Sequence, residues 1–324
     1  MKVLVTGGAG YIGSHLVQYL TKLGVDCFVI DNLSRGRIER LSSKINFEQI
    51  DLCESDKISK FIKGHSFEAV FHLAGYMQAR ESMREPRIYF QNNVQATRSL
   101  INSIPTPEKT RVIFSSSCSV YGNNNLASED SRLAPLSNYA KTKSQSEIEL
   151  RRAFKAYPKN LSIFRFFNVV GCSKTPSYCD IQSETILPAS ARRILQGQKP
   201  LILGGGLSTE DGFAVRDFID VRDLVEALCL PLSQNLSGIH NLSANQALSI
   251  KKVIDLLLDI SNNKDLGFEI RSPNTADPSI IRSITSTKII QMDWSPKFSM
   301  RESIESFWTI FKNYWLEVEN KNRA

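Results

Sequence analysis

Short runs of β-branched and aromatic residues recur along the first half of the chain, separated by stretches whose apolar positions return every three or four residues. The runs are "VLVT" (3–6), "CFVI" (27–30), "AVFHLA" (69–74), "RVIFSSS" (111–117) and "LSIFRFFNVV" (161–170). They are nearly continuous in apolar character rather than alternating, which is the pattern of strands covered on both faces. Between the first two, Ile12, Leu16, Leu20 and Leu23 repeat at helical spacing. Strands that alternate with helices run parallel, and their crossovers are right-handed. The pattern predicts an α/β protein built on a Rossmann-type doubly wound parallel sheet.

The rhythm changes near residue 170. "VGCSKTPSYCDIQSE" is polar and reads as a long loop, a helix follows over about 186–197 and closes at Gly197, and Gly204 to Gly206 open another loop. The expected division is a dinucleotide-type domain at 1–170, with a return excursion near 215–243, and a smaller mixed α/β substrate domain at 171–324. The terminal "ENKNRA" reads as a frayed tail. Internal repeats and low-complexity tracts are not visible.

Composition narrows the class. The 324 residues are 42% hydrophobic and 23% charged, which suits a globular chain with a sizeable core. No apolar run reaches the roughly 18 residues of a membrane helix, so no membrane association is expected. "MKVLVTGG" reads as a first strand rather than a signal segment. The six cysteines show no CxxC and no zinc spacing, and several sit in apolar runs; buried free thiols of a cytoplasmic protein are the expectation. The four histidines are scattered, no metal site is expected, and His72 inside "AVFHLAG" reads as a satisfied core histidine. The net charge of +7 is dispersed without a basic block, so nucleic acid is not an expected partner.

Candidate chemistry begins at "VTGGAGYIGSHL". Gly7, Gly10 and Gly13, with Gly8 beside them, lie between the first strand and the first helix. A loop that brings a diphosphate against the backbone cannot carry Cβ atoms, and the helix N-terminus behind it offers free N–H groups and partial positive charge. Asp31 ends the second run, where a carboxylate accepts both hydroxyls of an adenosine ribose and repels a 2′-phosphate. This favours NAD over NADP, and the nearby Arg35 and Arg37 weaken the exclusion slightly. Asp51, in "NFEQIDLCES", ends a third strand and fits either an adenine contact or a helix N-cap.

The second candidate is "SNYAKTKSQSE". Of nine tyrosines, only Tyr139 has a lysine, Lys143, four residues later. That spacing puts both on one helix face, with Cβ atoms about 5–6 Å apart. A lysine cation together with an oxidised nicotinamide favours the phenolate, which lowers the tyrosine pKa towards the range a base for alcohol oxidation needs.

With these stretches in order, the chain resembles the extended short-chain dehydrogenases/reductases, and among them the NAD-dependent nucleotide-sugar epimerases of the UDP-glucose/UDP-galactose 4-epimerase type. The resemblance runs through "VTGGAGYIGSH", "DNLS", "FHLAGY", "ESMREPRIYFQNNV", "FSSSCSVYG", "YAKTK", "RFFNVVG", "STEDGFAVRDFIDVRDLVEAL" and "WSPKFSM", from residue 1 to about 300. It implies that Tyr11 and Ile12 meet the NAD pyrophosphate. Asp31, Asn32, Ser34, Arg35 and Gly36 would wrap the adenosine ribose, and Asp51 and Leu52 would flank the adenine. Leu73, Ala74 and Gly75 would line the cofactor with Asn92 behind them, and Phe167 would lie on the nicotinamide side. It further implies Ser117, Tyr139 and Lys143 as catalytic residues, Lys143 also binding the nicotinamide ribose. Asn168 and Arg216 would hold the sugar nucleotide, Arg216 at its diphosphate. The implied partners are a UDP-sugar and a second copy of the chain in a homodimer.

Positions after "SSS" narrow the reaction. Related dehydratases and decarboxylases carry carboxylates there, whereas this chain has Cys118 and Ser119, so elimination and decarboxylation lack a proton shuttle and Ser119 is left to hydrogen-bond the substrate. "STEDG" (208–212) marks the 4-epimerase branch. The C-terminal part departs from the family: Asn274 stands where an arginine precedes the Asp277-Pro278 pair, with Arg271 and Arg282 as possible substitutes, Ile284-Thr285 replaces a later "AD", and Met77 replaces a lysine. Ile281 falls on a position that gates the sugar C2 substituent, and its size suits N-acetylhexosamines as well as hexoses. The competing readings are a UDP-uronate 4-epimerase, another NAD-dependent nucleotide-sugar oxidoreductase or dehydratase, and a non-enzymatic NAD-binding module.

Overall fold

The computed structural model describes residues 1–124, 126–173, 183–271 and 287–323. Twelve strands are formed among these: β1 Lys2–Thr6, β2 Asp26–Asp31, β3 Asn46–Gln49, β4 Ala69–His72, β5 Arg111–Ser117, β6 Leu161–Phe166, β7 Asn168–Val170, β8 Leu201–Leu203, β9 Val215–Asp220, β10 Gly238–Leu242, β11 Gln246–Ser249 and β12 Glu269–Arg271. The helices are α1 Tyr11–Lys22, α2 Ser55–Lys63, α3 Ala79–Arg84, α4 Pro86–Tyr89, α5 Ala96–Ser103, α6 Asn138–Ala153, α7 Ile186–Leu195, α8 Val221–Gln234, α9 Ile250–Ile260, α10 Thr287–Ile290 and α11 Met300–Arg323. A π-helical turn, Phe90–Gln95, joins α4 to α5.

Seven strands form one parallel sheet in the order β10-β6-β5-β4-β1-β2-β3. Successive strand side chains point to opposite faces, and both faces are apolar here. On one, Val3, Val5, Val29 and Phe71 pack against Leu16, Val17 and Leu20 of α1 and Leu224 and Leu228 of α8. On the other, Leu4, Ile30, Val70 and Phe114 pack against Ile58 and Ile62 of α2, Leu100 of α5 and Leu150 of α6. The strands lead outward from β1 to β3 and then resume at β4 on the other side of β1. That reversal leaves a crevice at the carboxyl ends of β1 and β4, the usual ligand position in sheets of this kind.

The run 161–170 forms two strands rather than one. β6 stays in the large sheet, whereas β7 joins β9 and β11 in a three-stranded sheet. The break falls at Phe167, whose backbone N–H reaches back to the Leu242 carbonyl at 3.3 Å. β12 pairs with β8, and a third apolar cluster gathers α7, α9 and α11 around Phe213 and Phe218. The chain comes back to the large sheet through α8 and β10. The final helix continues to Arg323 instead of fraying at Glu319, since nothing from Leu316 onward breaks a helix. Among the described residues, no helix is long and apolar enough to cross a membrane, and no group of three or more His, Cys, Asp or Glu side chains is placed to hold a metal ion.

Candidate active site

The carboxyl edge of the large sheet gathers most of the predicted site. The glycine loop leaves β1 with the Gly7 N–H bonded to the Ile30 carbonyl at 2.8 Å and the Gly10 N–H to Gly7 O at 3.1 Å. Gly7 has φ +71°, and a Cβ there would lie 2.7 Å from the backbone of Ala74. A Cβ on Gly13 would stand 2.2 Å from Gly7 O. The loop, the start of α1 and the end of β4 therefore touch backbone to backbone. Gly10 caps α1 without any side-chain hydrogen bond, so the helix N-terminus carrying Tyr11 and Ile12 faces the crevice without a competing carboxylate. The Tyr11 hydroxyl donates to Gly171 O at 2.6 Å and ties the loop to the turn after β7.

Asp31 is buried at the end of β2. Its Oδ2 accepts from the Ala9 N–H at 3.1 Å and its Oδ1 from the Leu33 N–H at 2.9 Å. Burial raises its pKa, and these two bonds with nearby Arg40 work against the rise. Each oxygen retains lone-pair capacity for a ribose hydroxyl. Asn32 Nδ2 donates to Asp51 Oδ2 at 2.9 Å, the Cys53 N–H donates to Asp51 Oδ1 at 2.8 Å, and Ser34 bonds Asn32 through both its N–H and its hydroxyl. Burial opposes the charge on Asp51, yet these bonds hold its pKa below the ordinary value. Asp51 does not cap α2, whose N-cap is Glu54. A glycine-rich backbone cradle, a helix start without a side-chain cap and a carboxylate with spare acceptors fit a dinucleotide.

Behind the end of β4, His72 is fully buried between Thr6 Oγ1 (2.9 Å) and Thr97 Oγ1 (2.8 Å), and burial with the nearby Lys143 charge lowers its pKa to about 3. It is a neutral core histidine, as the apolar run around it suggests. Leu73 is partly buried, and the Ala74 N–H lies 3.4 Å from Thr6 Oγ1. The side chain standing behind Gly75 is Asn93, not Asn92. A Cβ on Gly75 would meet Asn93 Oδ1 at 3.1 Å; that oxygen accepts from the Tyr76 N–H at 2.7 Å, and Nδ2 returns to Tyr76 O at 3.0 Å. Asn92 instead donates to Ile88 O within its own helix. Both asparagines lie on the π-helical turn Phe90–Gln95.

At the end of β5, three serines meet one face of α6. Ser117 Oγ accepts from Ser119 Oγ at 2.9 Å and from the Ser119 N–H at 3.2 Å, and the Ser117 hydroxyl lies close enough to the Tyr139 phenol to pull its pKa down. The Ser119 hydroxyl thus orients Ser117. Lys143 is buried, with Nζ 2.8 Å from Ser115 O and 4.9 Å from the centre of the Phe114 ring. One turn further on, Glu147 accepts from Ser116 Oγ and from Arg165 Nε (3.0 Å) and Nη2 (2.6 Å), and both charged side chains are buried. Ser116 is therefore more than a packing residue.

Burial dominates the electrostatics of the pair in the nucleotide-free chain. Burial raises the Tyr139 pKa to about 12, with Ser117 pulling it back and the Cys118 thiol adding to the rise. Lys143 falls to about 8 through burial, against the Glu147 charge. The cation is turned to the Ser115 carbonyl, so desolvation outweighs any help it gives the phenolate.

Around β6 and β7 the expected substrate residues come together in part. Phe167 is buried with Cys118, Val120 and Tyr121. Asn168 Nδ2 donates to Asp217 O at 3.0 Å across the small sheet, next to Arg216, whose Nη1 donates to Val215 O at 2.8 Å. Ile281, like Asn274, Asp277, Pro278, Arg282, Ile284 and Thr285, lies outside the described residues, as does Cys179. Cys27, Cys118, Cys172 and Cys229 are buried free thiols, whereas Cys53 is exposed.

Many proteins share such a sheet, and comparison with known proteins separates them. Residues 3–245 match the NAD dependent epimerase/dehydratase family. The chain belongs to that family. The UDP-glucose 4-epimerase of Lactobacillus helveticus is 32% identical to it, with 99% of this chain and 100% of that one covered. The UDP-Glc/GlcNAc 4-epimerase of Campylobacter jejuni is 30% identical, with 96% and 99% covered and a TM-score of 0.80. The UDP-glucose 4-epimerase of Thermus thermophilus, solved as a complex with NAD, is 25% identical, with 96% and 99% covered and a TM-score of 0.84. NAD is the cofactor of this family, and the crevice between β1 and β4 has the backbone cradle and carboxylate that fit it.

The signals for Asn93 and Glu147 were weak in the sequence. Glu147 continues the four-residue step from Tyr139 through Lys143, and Arg165 interrupts an apolar run, but nothing local joins the two.

Proposed function

We propose that this chain inverts C4 of a UDP-hexose or UDP-N-acetylhexosamine through a transient 4-keto sugar, with Ser117, Tyr139 and Lys143 as its catalytic residues. The observation that carries the assignment is the hydroxyl series Ser119, Ser117, Tyr139 at the carboxyl edge of β5, beside the glycine cradle and above buried Lys143. Gly7, Gly10, Tyr11, Ile12, Gly13, Asp31, Asn32, Ser34, Arg35, Gly36, Asp51, Leu52, Leu73, Ala74, Gly75 and Asn92, with Tyr139, Lys143 and Phe167, are the proposed NAD-holding residues. Bound NAD supplies a hydride acceptor and a positive ring charge. Tyr139 takes the proton of the sugar 4-hydroxyl, and Ser117, oriented by Ser119, hydrogen-bonds the same oxygen and steadies the ketone. With a resting pKa of about 12, Tyr139 becomes a base only where further positive charge favours the phenolate. If the sugar turned before the hydride came back, the opposite face of C4 would receive it, Tyr139 would return its proton to the oxygen, and no cofactor would be consumed.

We assign Phe167 to the nicotinamide side, and Asn168 and Arg216 to the sugar nucleotide. We assign residues 1–170, with the return at 215–243, to NAD and 171–324 to the substrate. Ile281 is the proposed gate for the C2 substituent. A cytoplasmic homodimer is the proposed state. The test is to incubate the purified protein with UDP-hexoses, UDP-N-acetylhexosamines and UDP-uronates without added cofactor and follow the sugars by NMR. Interconversion of C4 epimers is expected, and Tyr139→Phe should slow it by roughly 10²–10⁴-fold while remaining folded. Unchanged turnover in that variant would remove Tyr139 from the mechanism; stoichiometric consumption of added NAD(P)H or NAD would identify a net oxidoreductase.

A further inference from the structure

β2 and β4 flank β1, and the segments that follow them meet across its carboxyl end. From the β2 side, Arg35 Nη2 lies 2.6 Å from both carboxylate oxygens of Glu81, and its guanidinium carbon sits 3.9 Å from the centre of the Tyr76 ring. The partners on the β4 side are fixed from behind. Glu81 also accepts from the Tyr89 hydroxyl at 2.7 Å; Tyr89 is fully buried, and its oxygen accepts from the Gln78 N–H at 3.0 Å. The Tyr76 backbone is held by Asn93 at both its N–H and its carbonyl. On the near side, the Arg37 N–H bonds Ala9 O at 3.0 Å, which joins the same segment to the glycine loop. The bridge therefore spans the width of β1 on the edge where the glycine loop lies. Its side chains are 37% and 29% exposed, so it can be reached by solvent and opened.

We propose that Arg35, Tyr76 and Glu81 form a strap across the cofactor crevice that slows release of NAD. This rests on the reading of the crevice as the NAD site. It also answers a need of the reaction: a hydride taken from the sugar must return from the same cofactor molecule, so NAD has to stay in place through the turnover. An isolated surface ion pair contributes little. Here the cation is also stacked on a ring, and its carboxylate partner is anchored to a buried tyrosine.

The test loads the purified wild type, Arg35→Ala, Glu81→Gln and the double variant with radiolabelled NAD, chases with unlabelled NAD and follows the label retained. Circular dichroism checks that each variant is folded. Arg35→Ala, which loses the ion pair and the cation–π contact, should release NAD roughly fivefold to thirtyfold faster, and Glu81→Gln, which loses the ion pair alone, roughly twofold to fivefold faster. The double variant should be no faster than the quicker single one. Exchanging the charges, Arg35→Glu with Glu81→Arg, should recover part of the retention. Added salt should speed release from the wild type and leave Arg35→Ala unaffected. Faster release from Arg35→Ala with an unchanged Glu81→Gln would overturn the strap, since Arg35 would then act on the cofactor directly. Unchanged release in both would overturn it as well. A wild type that retains no NAD would instead refute the underlying reading of the crevice.

Discussion

Lys143→Met should make the nucleotide-free protein more stable while abolishing epimerisation. Lys143 is buried against the end of β5, and its pKa falls from an ordinary 10.5 to about 8, chiefly because burial penalises the charged amine. Each pH unit between folded and unfolded pKa values corresponds to about 1.4 kcal/mol, so keeping this ammonium charged in the fold costs about 3 kcal/mol near neutrality. Methionine fills the same space without charge but leaves the Ser115 carbonyl without its 2.8 Å partner, a loss of about 1–2 kcal/mol. The net expectation is a gain of about 1–2 kcal/mol. Its pH dependence is distinctive. Below about pH 8 the amine is protonated in both states, and the folded state bears the full cost. Between about 8 and 10.5 the folded protein releases the proton while the unfolded chain keeps it, so wild-type stability rises with pH across this window. The variant has no such rise, and its advantage should shrink from about pH 7 to about pH 10. Urea titrations of both proteins across this range measure the difference, in which titrations common to both cancel. A variant no more stable than wild type near neutrality, or an advantage independent of pH, would refute the view that this lysine is held at a cost to the fold.

Other expectations follow from the same geometry. Gly13→Ala places a methyl group 2.2 Å from Gly7 O, so α1 must draw back; a loss of about 1–3 kcal/mol in urea and a fall in copurifying NAD of roughly tenfold or more are expected, and wild-type NAD content would contradict the close approach. Glu147→Gln leaves the buried Arg165 with a neutral partner and should cost about 3–5 kcal/mol in urea denaturation, whereas a loss under about 1 kcal/mol would mean the pair is dispensable. His72, with a pKa of about 3 against an ordinary 6.5, should keep neutral-form NMR shifts down to about pH 5. It should also lower stability as pH falls from 6.5 towards 3, because the unfolded chain takes up the proton first; a ring midpoint near 6.5 would show that the site is not sealed.

Features governed by short spacing were legible in the sequence. Apolar periodicity predicted the strands and α1, because an unbroken apolar run marks a strand buried on both faces and a three-to-four repeat marks a helix buried on one. The glycine loop needs only its own backbone and the adjoining helix, and Asp31 only the end of the next strand, so both could be placed from order alone. Tyr139 and Lys143 share a helix face by geometry.

Everything that depended on which distant segments meet was decided by the tertiary structure. Phe167 breaks the run 161–170 because its two halves pair with different partners, β5 and β10 on one side and β9 on the other. Asn93, on a π-helical turn, holds the Gly75–Tyr76 backbone from a segment that chain order alone does not bring to it. Arg35 meets Glu81, and Glu147 meets Arg165, across separations no local pattern records. In the nucleotide-free fold burial pushes the Tyr139 pKa up, which spacing does not record, because spacing measures how near a charge can come and not how much water is removed from the tyrosine it must act on. Sequence fixes distances along the chain; pKa values and pairings depend on burial, which exists only once the sheet has assembled.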